Sequence, residues 1–315
     1  MTNPAPQAAM SVVLVSPDNY QTVARTVNIL RGQSAADQLE LVIVAPALQR
    51  FDMPESGRHG FAAVRVLEIG NLRRFAAAQA AGVRAATAPV VVFAEDHAFP
   101  EPGWANALIA AHRGPWTAVG PAMRNANPAT RTSWADFLLG YGRWRIPTTA
   151  GATNHLPGHN SSYKRVALLH YENDMEELLQ APAVLHADLV ARGLTLYLEP
   201  AAVVSHVNFA ASLVWLRLRF HAGRAFAAAR AREWPVGQRL LYALAAPLVP
   251  FVRLVRIAHE SRREGQAASF FPSIAPVLWC GLAVDALGEL SGYLGGADGT
   301  HDLEWDWEFH RERYG

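Results

Sequence analysis

Short apolar runs alternate with segments of helical spacing along the first two-thirds of this chain. Val12–Val15 and Val90–Phe93 are uninterrupted apolar runs, and Leu39–Val44 and Val64–Ile69 are rich in Val, Leu and Ile. Such runs predict strands covered on both faces. Between the first two lies Tyr20–Arg31, with Val23, Val27 and Leu30 on one helical face and Gly32 as a stop. Asn71 opens an Ala-rich helix over Leu72–Ala86; Trp104–His112 predicts another helix and Thr117–Pro121 another short strand. This strand–helix alternation predicts an α/β fold with a mostly parallel, doubly wound sheet.

Further on the pattern loosens. From Arg124 to Thr153 the chain reads as a loop carrying Trp134, Phe137, Tyr141 and Trp144, either a wall for an acceptor or a surface helix pair packing its own aromatics. An acid-rich helical stretch follows (Glu172, Asp174, Glu176, Glu177), then a helix over Val184–Arg192 and a strand over Leu194–Leu198 that Glu199-Pro200 would end. After about residue 210 the character changes. Ten Arg and two acids fall between Arg217 and Arg263, while Leu240–Val252 and Gly265–Val284 carry no charge. The first run is shorter than the ~20 residues a spanning helix needs, and Pro272 and Pro276 interrupt the second. Arg-flanked apolar helices of this kind suit in-plane or re-entrant association with an anionic membrane surface. Packing on the preceding domain, or on a second subunit in a homodimer, is the alternative. The division expected is a leader over 1–9, an α/β domain over 10–210 and a helical region over 211–315 with an acidic tail holding Trp305 and Trp307.

Composition narrows the function classes. With 51% apolar and 17% charged residues the chain is not a disordered one. A net charge of +1 leaves no basic footprint for nucleic acid. Cys280 is the sole cysteine, so no internal disulfide and no cysteine zinc site can form. The first ten residues are uncharged and lack an apolar core, so no secretory signal is expected and the catalytic part should face the cytoplasm.

The candidate chemistry sits where Val90–Phe93 ends. Glu95, Asp96 and His97 follow it directly, and ligands bind at the carboxyl edge of open α/β sheets. Carboxylate oxygens suit Mg2+ or Mn2+, and an imidazole among them favours Mn2+.

The order of these pieces resembles family 2 of the inverting, GT-A-fold glycosyltransferases over about residues 10–210. Ser16-Pro17-Asp18-Asn19 resembles the family's Pro-x-x-Asn-like turn after the first strand. Asn71 with Ala78-Gln-Ala-Ala-Gly82 and Ala86 resembles its Ala-rich helix. Phe93-Ala94-Glu95-Asp96-His97 with Pro100 is similar to its acidic motif. Gly158-His159-Asn160 with Arg165 resembles its acceptor segment, and Gly193 with Leu198-Glu-Pro200-Ala and Val204-Ser-His206 its ending.

The resemblance implies a metal-dependent enzyme that moves a sugar from a nucleotide-diphosphate sugar to an envelope polysaccharide or glycolipid acceptor. Asp96, His97 and His206 would hold Mn2+ or Mg2+, with hydrogen bonding to phosphate as the other role for His206. Ser16, Pro17, Asp18, Asn71, Arg74, Glu95 and Asp96 would bind the donor. His159, Asn160 and Trp134 would face the carbohydrate or lipid-linked acceptor. The general base would be Glu177, then Glu176 or Asp174. The chain departs from the pattern in three places. His97 stands where the family more often has Asp. Ala181-Pro182 occupies the position of its acid pair. Val42–Pro46 ends the second strand without the nucleobase-binding acid. These departures leave a second expectation open, a catalytically degenerate GT-A-like scaffold at the membrane. A nucleotidyltransferase fits less well, because Ser16–Tyr20 has neither Gly nor Lys to cradle a triphosphate.

Overall fold

A computed structural model of the chain describes residues 8–70, 75–263 and 267–296. Asn71, Arg74 and the tail holding Trp305 and Trp307 lie outside the described residues.

The chain forms β1 (Met10–Val15), α1 (Tyr20–Arg31), β2 (Leu39–Ala45), α2 (Glu55–Arg58), β3 (Ala63–Glu68), α3 (Phe75–Ala85), β4 (Val90–Ala94), β5 (Ala98–Pro100), α4 (Trp104–Ala111) and β6 (Ala118–Asn125). Then come α5 (Arg131–Gly140), β7 (Gly151–Thr153), β8 (Ser162–Lys164), α6 (Arg165–Leu169), α7 (Met175–Gln180), α8 (Pro182–Ala191) and β9 (Leu196–His206). Among the described residues four helices follow: α9 (Ser212–Arg230), α10 (Val236–Ala245), α11 (Val249–Arg263) and α12 (Ala267–Gly295).

The strands form one nine-stranded mixed sheet in the order β3-β2-β1-β4-β8-β6-β9-β5, with β7 added to β9. The half built from β3, β2, β1 and β4 is parallel, as the strand–helix alternation predicts. In the other half β8 runs antiparallel to both β4 and β6, and β7 antiparallel to β9. Antiparallel partners need no crossover helix, which is how three-residue strands such as β7 and β8 join. β9 runs through Pro200 instead of stopping there; its pairing with β7 ends at Leu198, so the proline lies beyond that ladder.

β1, β2 and β4 are buried along their whole length. α3 lies close on β1, because at Gly82 a Cβ would stand 2.4 Å from Val13 Cγ1. Arg165, quoted above from the acceptor segment, turns away from it: Nε donates to the Val83 carbonyl (3.0 Å) and Nη2 to that of Arg84 (3.0 Å). It thereby caps the last carbonyls of α3.

The chain divides into two compact units, 1–124 with 144–205, and 125–143 with 206–315. β6 and β9 each run one residue past this division, so Asn125 and His206 end strands of the sheet. The second unit is therefore more than the region after residue 210, since it also takes in α5. Over 131–140 this helix takes the place of the loop reading and is nearer to the alternative of helices packing their own aromatics, the Trp134 and Phe137 rings lying 5.9 Å apart. Its Ala135 and Leu138 pack with Phe209, Trp215 and Leu278, and Asp136 accepts from Phe209 N (3.1 Å) and Trp215 Nε1 (2.8 Å).

α12 runs 29 residues straight through Pro272 and Pro276. Each proline removes a helix hydrogen bond, and tight packing on α9 offsets that loss. A Cβ at Gly288 would stand 2.0 Å from the Phe220 carbonyl oxygen, one at Gly292 2.3 Å from that of Arg224, and one at Gly223 2.1 Å from that of Asp285. Arg253 of α11 pairs with Asp285 of α12. The helical stretches Val236–Ser261 (26 residues) and Phe271–Gly295 (25 residues) are both long and apolar enough to cross a membrane. This differs from the reading of the first run as too short and the second as broken: helical turns extend the first at both ends, and in the second the helix continues through Pro272 and Pro276.

Candidate metal centre

The parallel register sets the site. Leu14 of β1 aligns with Ala94 of β4, so the loops that follow, Ser16–Asn19 and Glu95–His97, leave the same sheet edge side by side. Ser16 is fully buried and its hydroxyl donates to the Asn19 carbonyl (2.8 Å). Asn19 Oδ1 in turn accepts from Gln21 N (2.9 Å), capping α1. Pro17 is half-buried and Asp18 is exposed at the tip of this turn.

After β4 the chain turns sharply. Glu95 bridges to Ala98, which leaves Asp96 and His97 as the two residues of the turn. Thr26 of α1 secures the turn from beneath, its hydroxyl donating to the Glu95 carbonyl (3.1 Å). Glu95 and His97 are buried, and Glu95 Oε2 lies 3.9 Å from His97 Nε2. Asn160, buried in the segment leading to β8, donates from Nδ2 to Glu95 Oε2 (2.8 Å). Asp96 Oδ1 lies 2.7 Å from His97 Nδ1; with the proton on this ring nitrogen, Nε2 is the atom that could ligate a cation.

His206, the last residue of β9, completes the set. One ligand atom from each of Glu95, His97 and His206 lies within 4.8 Å of the others, and all three residues are buried. Adjacent ligands of a cation with bonds of ~2.1 Å stand ~3 Å apart, so small rotamer changes close this group around an ion. One carboxylate oxygen and two imidazole nitrogens form a donor set that could hold a divalent cation.

No known family pattern matches the chain, and no curated protein does. Among solved structures it is similar to GalNAc-T7 with UDP, GalNAc and Mn2+, at 16% identity and a TM-score of 0.44 over 64% of this chain and 43% of that one. It is similar to the mannosyltransferase PcManGT of Pyrobaculum calidifontis with GDP-Man and Mn2+, at 18% identity and a TM-score of 0.45 over 94% and 79% of the two chains. A mycobacterial protein matches at 18% identity and a TM-score of 0.40, over 65% and 68%. The chain thus spans less than half the length of GalNAc-T7.

The structure thus brings Glu95, His97, His206, Asn160 and Asp96 together. Asp96 stands beside His97 and outside the three-ligand group, the place expected for it being taken by Glu95. His159 is half-buried, its ring 5.9 Å from that of Phe75. Trp134 sits on α5, with Nε1 donating to the Pro128 carbonyl (3.0 Å). The three acids lie on and before α7, which packs against α3. Asp174 precedes its first turn, Glu176 lies 3.7 Å from Arg84 of α3, and Glu177 is exposed.

Sequence reasoning missed Thr26 and Asn208. Thr26 is a polar residue on the buried side of an amphipathic helix, a signal that it bonds to something specific. Asn208 follows His206 by two residues and accepts from its ring.

Behind β8 the buried polar groups are held uncharged. His112 bonds to Ser162 Oγ (2.8 Å), and burial with the Lys164 charge lowers its pKa to about 4. His186 bonds to Tyr163 Oη (2.8 Å), and burial with His155 lowers its pKa to about 3, while burial raises that of Tyr163.

Proposed function

We propose that this chain is a metal-dependent glycosyltransferase of inverting type, taking a sugar from a nucleotide-diphosphate donor. The observation that carries the reading is the buried Glu95–His97–His206 group at the carboxyl edge of β4, beside the turn that follows β1. A divalent cation held there would neutralise charge developing on the departing diphosphate. Asp18, exposed on the neighbouring turn, is the proposed donor contact, with Ser16 and Pro17 shaping that turn. Asn71 and Arg74 are further proposed donor contacts. Asn160 orients Glu95, and His159 and Trp134 are the proposed acceptor contacts. An envelope polysaccharide or glycolipid is the proposed acceptor class.

The general base is assigned to Glu177, with Glu176 and Asp174 behind it, on the order of the sequence pieces. The pairing of Glu176 with Arg84 favours one competing reading, a scaffold that binds donor and metal without transferring. Hydrolysis or transfer of a nucleotide sugar, lost in Glu177→Gln with donor binding intact, decides for the enzyme.

The helical region is proposed to hold the protein at the cytoplasmic side of a membrane. Support comes from the two long apolar helices and from Leu241, Leu244, Leu248, Phe251, Val252 and Val255, all more than half exposed. The same region supplies arginines for anionic lipid headgroups.

Calorimetry with UDP-, GDP- and dTDP-sugars tests the reading. One of them should bind in the presence of Mn2+ and lose that binding when His97 or His206 becomes Ala. Binding that ignores both Mn2+ and these substitutions would sink it.

A further inference from the structure

We infer that Asn208 is the positioning residue of the metal centre: it holds the His206 ring so that Nε2 is the atom offered to the cation. This rests on the metal-site reading above.

The geometry is closed at each step. His206 Nδ1 lies 3.0 Å from Asn208 Oδ1. An amide oxygen and nitrogen are told apart by their surroundings, and here the surroundings decide. Asn208 Nδ2 donates to Asn125 Oδ1 (3.0 Å) and to the His206 carbonyl (2.9 Å). A flipped amide would aim its oxygen at two acceptors. Oδ1 therefore faces the ring, and an amide oxygen only accepts. Nδ1 then carries the proton, and the lone pair of the neutral imidazole is on Nε2.

Asn208 is itself locked. Its backbone N–H donates to Asn127 Oδ1 (2.8 Å), and its carbonyl accepts from Asn127 Nδ2 (2.7 Å). Ser133 Oγ lies 3.1 Å from Asn125 Oδ1 and 3.0 Å from Asn127 Oδ1. Asn208 is 1% exposed, Ser133 is fully buried and Asn125 is buried. The Asn127 backbone N–H donates to Asn125 Oδ1 (3.0 Å), which sets the Asn125 amide and through it that of Asn208, and this orientation fixes the ring.

His97 has the parallel device, with Asp96 Oδ1 in the place of the amide oxygen. Partners of this kind fix ring orientation in metal-ligating histidines, and removing one typically costs 10–100-fold in metal affinity.

The test uses the full chain as wild type, Asn208→Leu, Asn208→Ser and His206→Ala. Long-range proton–nitrogen NMR on histidine-labelled, metal-free protein reads the His206 tautomer, and calorimetry with MnCl2 reads affinity. The wild type should show His206 with its proton on Nδ1. Asn208→Leu should give a mixture of tautomers and bind Mn2+ about 10–100-fold more weakly. Should the leucine variant fail to fold, the smaller Asn208→Ser is expected to show the same two changes. Wild-type tautomer and affinity in a folded Asn208 variant, with binding lost in His206→Ala, would overturn the inference alone. A wild type that takes up no Mn2+, or a His206→Ala protein that binds as wild type does, would overturn the metal-site reading and the inference together.

Discussion

Glu40 is fully buried in β2, yet four hydrogen bonds satisfy its carboxylate. Ser11 Oγ, Arg65 Nε, Thr87 N and Thr87 Oγ1 all donate to it. Burial alone would raise its pKa, and the hydrogen bonds together more than offset that, holding it below the ordinary value. Its contribution to stability is present above the ordinary carboxylate range and is lost as pH falls through the lowered value. Glu40→Gln should destabilise the fold by about 1–3 kcal/mol at neutral pH. His112 and His186 act at higher pH. Each is neutral when folded, with pKa values near 4 and 3, and charges in the unfolded chain below about 6.5. The stability they confer is full above pH ~6.5 and is lost as pH falls from there through the folded values. The urea midpoint should therefore decline between pH 7 and pH 4. His112→Gln, whose amide can still reach Ser162, should flatten part of that decline; an unchanged slope would argue against a neutral buried His112. At the metal centre, Asp96→Asn keeps an oxygen for His97 Nδ1 and Asp96→Ala does not. Mn2+ affinity should fall about 10–100-fold in the alanine variant and by much less in the asparagine one. Equal loss in both would mean that Asp96 binds the cation directly.

At the scale of elements, legibility followed the locality of the cause. α1 was readable to its ends because the Val23–Val27–Leu30 face lies within it and Asn19 and Gly32 directly flank it. β1, β2 and β4 were readable because burial on both faces leaves their side chains apolar, Ser11 and Glu40 excepted. α5 was not, since its apolar residues answer to α9 and α12, far off in sequence. The prolines misled for a related reason. Pro200 and Pro276 look like stops, but the neighbours that carry the chain through them are invisible in one dimension. The same holds for the centre itself. Glu95–His97 was visible as a local cluster at a strand end. Which of its members faces His206 depends on the bridge between Glu95 and Ala98 and on Thr26, neither of which composition announces. The glycines of α12 offer a direct test of the packing that carries that helix. Gly288→Ala should destabilise the helical unit by about 1–3 kcal/mol, because its Cβ meets the Phe220 carbonyl. Gly295→Ala, with nothing within 4 Å of its Cβ, should change the unfolding temperature little. Equal effects at both positions would contradict close packing as the cause.

For the whole molecule, two features carry the proposed function: the candidate metal centre at the sheet edge and the helical region with its exposed apolar side chains. Flotation with liposomes tests the second feature. The chain should float with vesicles containing phosphatidylglycerol, and Leu244→Glu with Val252→Glu should leave it in the soluble fraction if these side chains contact lipid. Flotation unchanged in that double variant would remove the helix from the contact surface. The first feature is tested most directly by anomalous diffraction from crystals soaked with MnCl2 and a nucleotide diphosphate. The account predicts one strong manganese peak bonded at about 2.0–2.3 Å to Glu95, His97 and His206, with diphosphate oxygens on its open side. A nucleotide bound elsewhere on the chain, or a manganese peak away from these three side chains, would contradict it.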